Sequence, residues 1–98
     1  MKSRQNILIT GGTGSFGKKF LEMTLKKYNP MKIVVFSRDE MKQWELSKQY
    51  KNEKRVRFFI GDVRDKDRLQ RALRGIDFVV HAAATKIVST AEYNPFEC

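Results

Sequence analysis

An apolar run that passes straight into closely spaced glycines constrains this chain more than any other stretch: Asn6-Ile-Leu-Ile-Thr-Gly-Gly-Thr-Gly-Ser-Phe-Gly17. In Gly12-x-Gly14-x-x-Gly17 the first glycine allows a tight turn, the second lets backbone approach a pyrophosphate, and the third lets the following helix pack closely on the strand. The free N–H groups and positive dipole end of that helix then suit an anion. An ordinary strand-to-helix turn can also be rich in glycine, so the motif gains its meaning from the rest of the chain.

Beyond the glycines, strand and helix patterns alternate. Lys32-Ile-Val-Val-Phe-Ser37 is short, β-branched and apolar, as expected of a parallel strand buried on both faces. Between it and the glycines, Phe16, Phe20, Leu21 and Leu25 recur at helical spacing, and Asn29-Pro30 ends the helix. A second helix is expected from about Asp39, carrying Met41, Trp44 and Leu46 inward. Val56-Arg-Phe-Phe-Ile-Gly61 is a third strand. Asp65 is placed to cap a helix bearing Leu69, Ala72 and Leu73 that Gly75 closes, and Ile76 to Ala82 forms a fourth strand. The order βαβαβαβ with right-handed crossovers implies an α/β fold, one half of a doubly wound parallel-sheet (Rossmann) domain with strand order 3-2-1-4. A full domain of this kind carries further strands. The 98 residues are therefore expected to form a partial domain whose fourth strand exposes an apolar edge.

Composition narrows the class. A single cysteine excludes an internal disulfide framework and fits a reducing compartment, and no apolar stretch is long enough for a membrane span, so a cytoplasmic protein is expected. The formal charge of +9 admits a polyanionic partner, but the lysines and arginines are scattered over helix faces and connections. Solvated helix surface is the expected reading, and no nucleic acid is expected as a partner. Residue types that build metal sites or nucleophile–base pairs are not clustered.

Ligands of open α/β sheets sit at the carboxyl ends of the strands. The end of strand two offers Ser37-Arg38-Asp39-Glu40-Met41-Lys42. A hydroxyl and two cations, Ser37 with Arg38 and Lys42, suit a ribose 2′-phosphate, which favours NADP over NAD. Asp39 leaves two readings open: a helix cap, or an acceptor for the ribose hydroxyls. At the end of strand three, Asp62 is placed to accept from an adenine amino group while Val63 covers the ring. The small residues Ala82, Ala83 and Ala84 either leave room for a cofactor against the backbone of strand four or serve close packing of that strand against a helix. His81 fits a hydrogen-bonded structural role better than that of a base.

Taken together, Thr10-Gly-Gly-Thr-Gly-Ser-Phe-Gly17, Asp62-Val-Arg-Asp65 and His81-Ala-Ala-Ala84 resemble the extended short-chain dehydrogenase/reductase superfamily. Phe36-Ser-Arg-Asp-Glu-Met-Lys42, Arg57 to Asp65 and Ala91-Glu-Tyr-Asn-Pro-Phe-Glu97 are similar to one branch of it, the inverting UDP-N-acetylglucosamine 4,6-dehydratases that open pseudaminic acid synthesis for flagellin glycosylation. The resemblance implies an NADP-dependent lyase acting on UDP-N-acetylglucosamine: oxidation at C4, loss of water across C5 and C6, and hydride return to C6 with inversion at C5. It places Thr13, Gly14, Ser15 and Phe16 at the pyrophosphate, Ser37 to Lys42 at the 2′-phosphate, Asp62, Val63 and Ala82 at the adenosine, and Lys86 at the nucleotide sugar, with Gly11 also expected among the cofactor-binding residues. It also implies a homo-oligomer for the full-length enzyme.

Ser89 stands where that branch usually has proline, which puts the aim of Lys86 in question. The branch's catalytic Asp-Lys pair and Tyr-x-x-x-Lys motif are expected beyond this chain, and Tyr28, Tyr50 and Tyr93 are not expected to replace that tyrosine. No catalytic residue is thus expected here. The alternative of a stand-alone NADP-binding sensor or regulatory module stays open at this point.

Overall fold

Near-continuous apolar runs need cover on both faces, and the sheet supplies the geometry for it. The computed structural model describes residues 5–11, 14–82 and, by backbone alone, 86–89. In chain order these form β1 (Asn6–Thr10), α1 (Ser15–Lys27), β2 (Lys32–Ser37), α2 (Glu40–Gln49), β3 (Val56–Ile60), α3 (Lys66–Ala72), β4 (Phe78–His81) and β5 (Lys86–Ser89). The sheet order is β3-β2-β1-β4-β5. The first four strands are parallel, as the alternation predicts.

The fifth strand departs from expectation. β5 pairs antiparallel with β4, His81 opposite Lys86 and Phe78 opposite Ser89. The outer edge of β4 is therefore covered, and the backbone of Lys86 belongs to a strand. An antiparallel partner needs only a short return of the chain, whereas a parallel one needs a crossover of a dozen residues or more. The expected apolar edge at strand four is corrected accordingly.

Side chains alternate between two cores. Ile7, Ile9, Ile33, Val35, Val56 and Val80 point to the face covered by α1 and α2, joining Leu21 and Leu46. Leu8, Val34, Phe36 and Val79 point to the other, where Leu69 and Ala72 of α3 meet them. This is why the strands read as unbroken hydrophobic runs. Each fully buried aliphatic side chain contributes about 1.5–3 kcal/mol.

The helices choose their inward faces less predictably. In α1 the buried stripe is Gly17, Leu21 and Thr24, while Phe20 and Leu25 are half-buried and Phe16 is exposed. Burial of Gly17 fits its expected packing role. In α2 the buried residues are Gln43 and Leu46, and Met41 and Trp44 lie outside at 68% and 59% exposure. The amide decides this orientation. Gln43 Nε2 donates to the carbonyls of Val35 (3.1 Å) and Phe59 (3.3 Å), so a buried polar side chain is satisfied by two neighbouring strands. Trp44 instead lies under the Lys48 ammonium, 3.5 Å from its ring centroid.

Backbone breaks fall where expected. Asn29 takes φ 43° after α1, and Gly75 takes φ 71° after α3. Gly61 is required for space: a Cβ there would come within 2.8 Å of both the Phe36 ring and the Arg68 side chain.

Candidate functional site: a cleft at the carboxyl ends of β1, β2 and β3

The first three parallel strands end side by side, and the turns beyond them enclose a cavity of about 560 Å³. Its lining combines Gly11 from the first turn, Phe36 to Asp39 from the second, and Gly61 to Arg64 from the third. Residues from three separate motifs thus meet in one place.

In the first turn, the left-handed backbone is at Gly11, φ 69°. Its N–H donates to Phe36 O (3.1 Å), and its carbonyl accepts from Gly14 N (3.1 Å). Gly14 is the N-cap of α1, and among the described residues no side chain caps that terminus. No acidic residue occupies the first turn either. An α-helix leaves its first N–H groups without intrahelical acceptors, so this end keeps donors and a positive dipole for a ligand. Ser15 and Phe16 are exposed beside it. Gly12, Thr13 and Ala83 lie outside the described residues.

The second turn is tightly bound to itself. Ser37 is buried, and its Oγ accepts from Asp39 N (3.1 Å). Asp39 caps α2, accepting from Lys42 N at 3.0 Å, so of its two open readings the cap is the one seen in the geometry. Arg38 is exposed and reaches across to the third turn, Nη1 lying 3.4 Å from Asp62 Oδ2. Lys42 lines a smaller cavity of about 190 Å³ between α1 and α2, which it shares with Lys18 and Glu45.

In the third turn Asp62 is held by Arg64. The Arg64 N–H donates to Oδ1 at 2.9 Å, Nε to both oxygens at 3.3 and 3.2 Å, and Nη2 to Oδ2 at 2.9 Å. The side-chain bonds from Arg64, then its backbone N–H, then the more distant Arg38 charge, hold the carboxyl well below the usual carboxylate range. Asp62 remains an anionic acceptor at any ordinary pH. Val63 is half-exposed at the cavity rim. The wall behind is a stack: the Arg68 guanidinium lies 4.3 Å from the centroid of the Phe59 ring, which stacks on Phe36 at 5.8 Å. Arg68 Nε also ties to Ile60 O at 2.6 Å.

Next to the cavity, Thr10 Oγ1 and His81 Nδ1 are 3.0 Å apart, joining the ends of β1 and β4 and giving His81 the structural partner expected of it. The Ala82 side chain is buried in the core, and its N–H donates to Thr10 O at 3.0 Å. Of Lys86 only the backbone is described.

The spacing Tyr-x-x-x-Lys does occur in this chain, at Tyr28 with Lys32 and at Tyr50 with Lys54. Neither pair shares a helix face. Each tyrosine is a C-cap, with its lysine on the start of β2 or in the turn before β3, at the amino ends of the strands and away from the cavity. Burial, helped by Glu22 and opposed by Lys26, pushes the Tyr50 hydroxyl up, contrary to what a base near neutrality requires. Arg64 is the charged residue of the cleft that motif reasoning passes over, and Lys18, which shares the smaller cavity with Lys42, is another such cation near by. Arg64 carries the clearest signal, lying within Asp62-Val-Arg-Asp65 itself.

Among the described residues no group of histidines, cysteines and carboxylates could hold a metal, and no helix is long and apolar enough to cross a membrane. The sequence profile described as "Polysaccharide biosynthesis protein" matches residues 7–98. The chain belongs to that family. It is 57% identical over 98 residues to the UDP-N-acetylglucosamine 4,6-dehydratase (inverting) of Campylobacter jejuni, covering 100% of this chain and 29% of that protein. The crystal structure of Pen from Bacillus thuringiensis superposes with TM-score 0.77 at 44% identity, over 97% of this chain and 30% of that one. The dTDP-glucose 4,6-dehydratase of Bacillus anthracis, solved in complex with NAD, superposes with TM-score 0.69 at 24% identity, over 79% of this chain and 26% of that one, and supports the fold. The chain spans less than a third of the length of each.

Proposed function

We propose that this chain holds the adenosine and pyrophosphate portion of NADP for an inverting UDP-N-acetylglucosamine 4,6-dehydratase that serves pseudaminic acid synthesis in the cytoplasm. One observation carries the reading: a cation, Arg38, and a carboxylate, Asp62, lie on facing turns of a single cleft beside a helix N-terminus that no described side chain caps. The three features match three parts of one ligand. The bare end of α1 suits the pyrophosphate, with Gly11 and Gly14 offering it backbone without a side chain. Arg38 suits a 2′-phosphate, with Lys42 near by at the first turn of α2. Asp62 suits the adenine amino group, with Val63 over the ring.

The residues present fit such a group. Bound here, a nicotinamide dinucleotide supplies reversible hydride acceptance. This chain's own contribution is to bind and orient its adenosine end. Asp62 stays ionised, the Phe36–Phe59–Arg68 stack backs the cleft, and the Thr10–His81 bond joins two strand ends. The acid–base residues for dehydration and the sugar lobe belong, in this reading, to sequence beyond this chain. Identity of 57% to a protein named for that reaction supports the substrate class.

The test is a calorimetric titration of NADP and NAD with the wild type and Arg38→Asp. The wild type is expected to prefer NADP. A charge-assisted phosphate contact contributes about 1.5–3 kcal/mol, so the substitution is expected to lower that preference by at least about tenfold. Unchanged discrimination would remove Arg38, and with it the NADP assignment.

A further inference from the structure

Resting on the cofactor reading above, we propose that Arg64 is a positioning residue that sets the preference for a 2′-phosphate: by occupying the Asp62 carboxylate, it leaves Arg38 free to turn to the ligand. Two guanidinium groups compete for one carboxylate here, and both contact the same oxygen, Oδ2. They are unequal competitors. Arg64 is two residues away, approaches both oxygens, and adds its backbone N–H to Oδ1. Arg38 comes from the neighbouring turn with a single contact of 3.4 Å.

A 2′-phosphate bound by Arg38 must break that contact. With Arg64 in place the carboxylate loses one weak partner and keeps a two-pronged one, so the exchange costs little. Without Arg64, Asp62 becomes the nearest anion for Arg38, and the same exchange would strand the carboxylate. The side chains of both arginines are largely exposed, 73% for Arg38 and 80% for Arg64, so either can swing without disturbing the core. A contribution from Arg64 should therefore appear in ligand preference more than in stability, since exposed pairs add little to the folded state.

The alternative is that Arg64 simply adds positive charge near the phosphate. A double-mutant cycle separates the two, because an effect that acts through Asp62 must vanish when Asp62 loses its charge. The probes are 2′,5′-ADP and 5′-AMP, titrated calorimetrically into four proteins: wild type, Arg64→Ala, Asp62→Asn and the double variant. The readout is the ratio of the two affinities. Arg64→Ala is expected to lower the preference for 2′,5′-ADP about threefold when Asp62 is present, and to leave it unchanged in the Asp62→Asn background. An equal drop in both backgrounds assigns Arg64 to direct charge attraction and overturns the proposal, as does no drop in either. A wild type that does not distinguish the probes overturns the NADP reading and this inference with it. A wild type that distinguishes them, with an Arg64 effect independent of Asp62, overturns the inference alone.

Discussion

Three helices begin at the same end of the sheet, and they treat their first N–H groups in two ways. Asp39 caps α2 by accepting from Lys42 N, and Asp65 caps α3 by accepting from Arg68 N at 3.2 Å. Each of these helices adds an acidic residue in its first turn, Glu40 and Asp67. The longest helix, α1, has glycine at the cap and no acid in its first turn. A carboxylate at a helix N-terminus neutralises the dipole and satisfies orphan donors. Two helices are thus complete within the protein, while the third omits what its neighbours possess. The difference teaches that a missing stabilising device is as much a feature to be explained as the presence of a reactive group, and the pyrophosphate proposal rests on it.

The most direct way to break the contrast is to give α1 the cap of its neighbours. Gly14 has φ −78° and ψ 175°, an extended conformation open to any residue, and a Cβ there would lie 3.5 Å from Gly11 O, an ordinary contact. Gly14→Asp should therefore fold, with stability level or raised by a few tenths of a kcal/mol. Its carboxylate would sit where the pyrophosphate is proposed to bind. Like charges about 4 Å apart cost roughly 4 kcal/mol at a surface-like dielectric, so NADP affinity is expected to fall about a hundredfold or more. A variant that is stable and binds NADP as before would show that the bare end of α1 receives no anion.

The converse change uncaps a helix to which no part of the proposed ligand is assigned. Asp65→Ala should cost about 1 kcal/mol, a fall in Tm of about 4–8 °C for a domain of this size, with the ratio of NADP to NAD affinity unmoved. If thermal unfolding is unchanged, the bond to Arg68 N contributes nothing and the two kinds of terminus differ less than their geometry implies.

The contrast between these termini was legible in the residues, because Asp39 and Asp65 stand just before helical periodicity and the glycine motif stands before α1. Strand order was legible for the same kind of reason: runs such as Ile33 to Phe36 are apolar at every position, which only a sheet covered on both faces accommodates. The facing of α2 was not. Hydropathy puts Trp44 inside, whereas two strand carbonyls make Gln43 the better buried residue, and that satisfaction depends on tertiary placement. β5 was illegible because four residues without a turn signature give no hint of antiparallel return. At the site, strand ends pointed to Arg38 and Asp62, whereas Arg64, though it lies within Asp62-Val-Arg-Asp65, shows its part only through its bonds to the Asp62 carboxylate.

Acid sharpens the comparison with the smallest effect. Glu53 is held below its ordinary value by the side-chain bond from Arg55, at 2.9 and 3.0 Å, and Asp62 by Arg64. Neither group belongs to α1, whose first turn has no carboxylate to titrate. In both cases the folded state binds its proton less readily than the unfolded chain, so stability rises with pH across the carboxylate range. Their contribution is fully present above the unfolded values of about 4, and is lost as pH falls through the lowered folded values. Urea unfolding of the wild type and of Glu53→Gln with Asp62→Asn should accordingly show the wild type ahead at pH 7 and the gap narrowing towards pH 3. A gap of constant size would mean that these ion pairs do not distinguish folded from unfolded chain. Carboxylates already engaged by a guanidinium would then make their turns no more acid-sensitive than the first turn of α1, which has none.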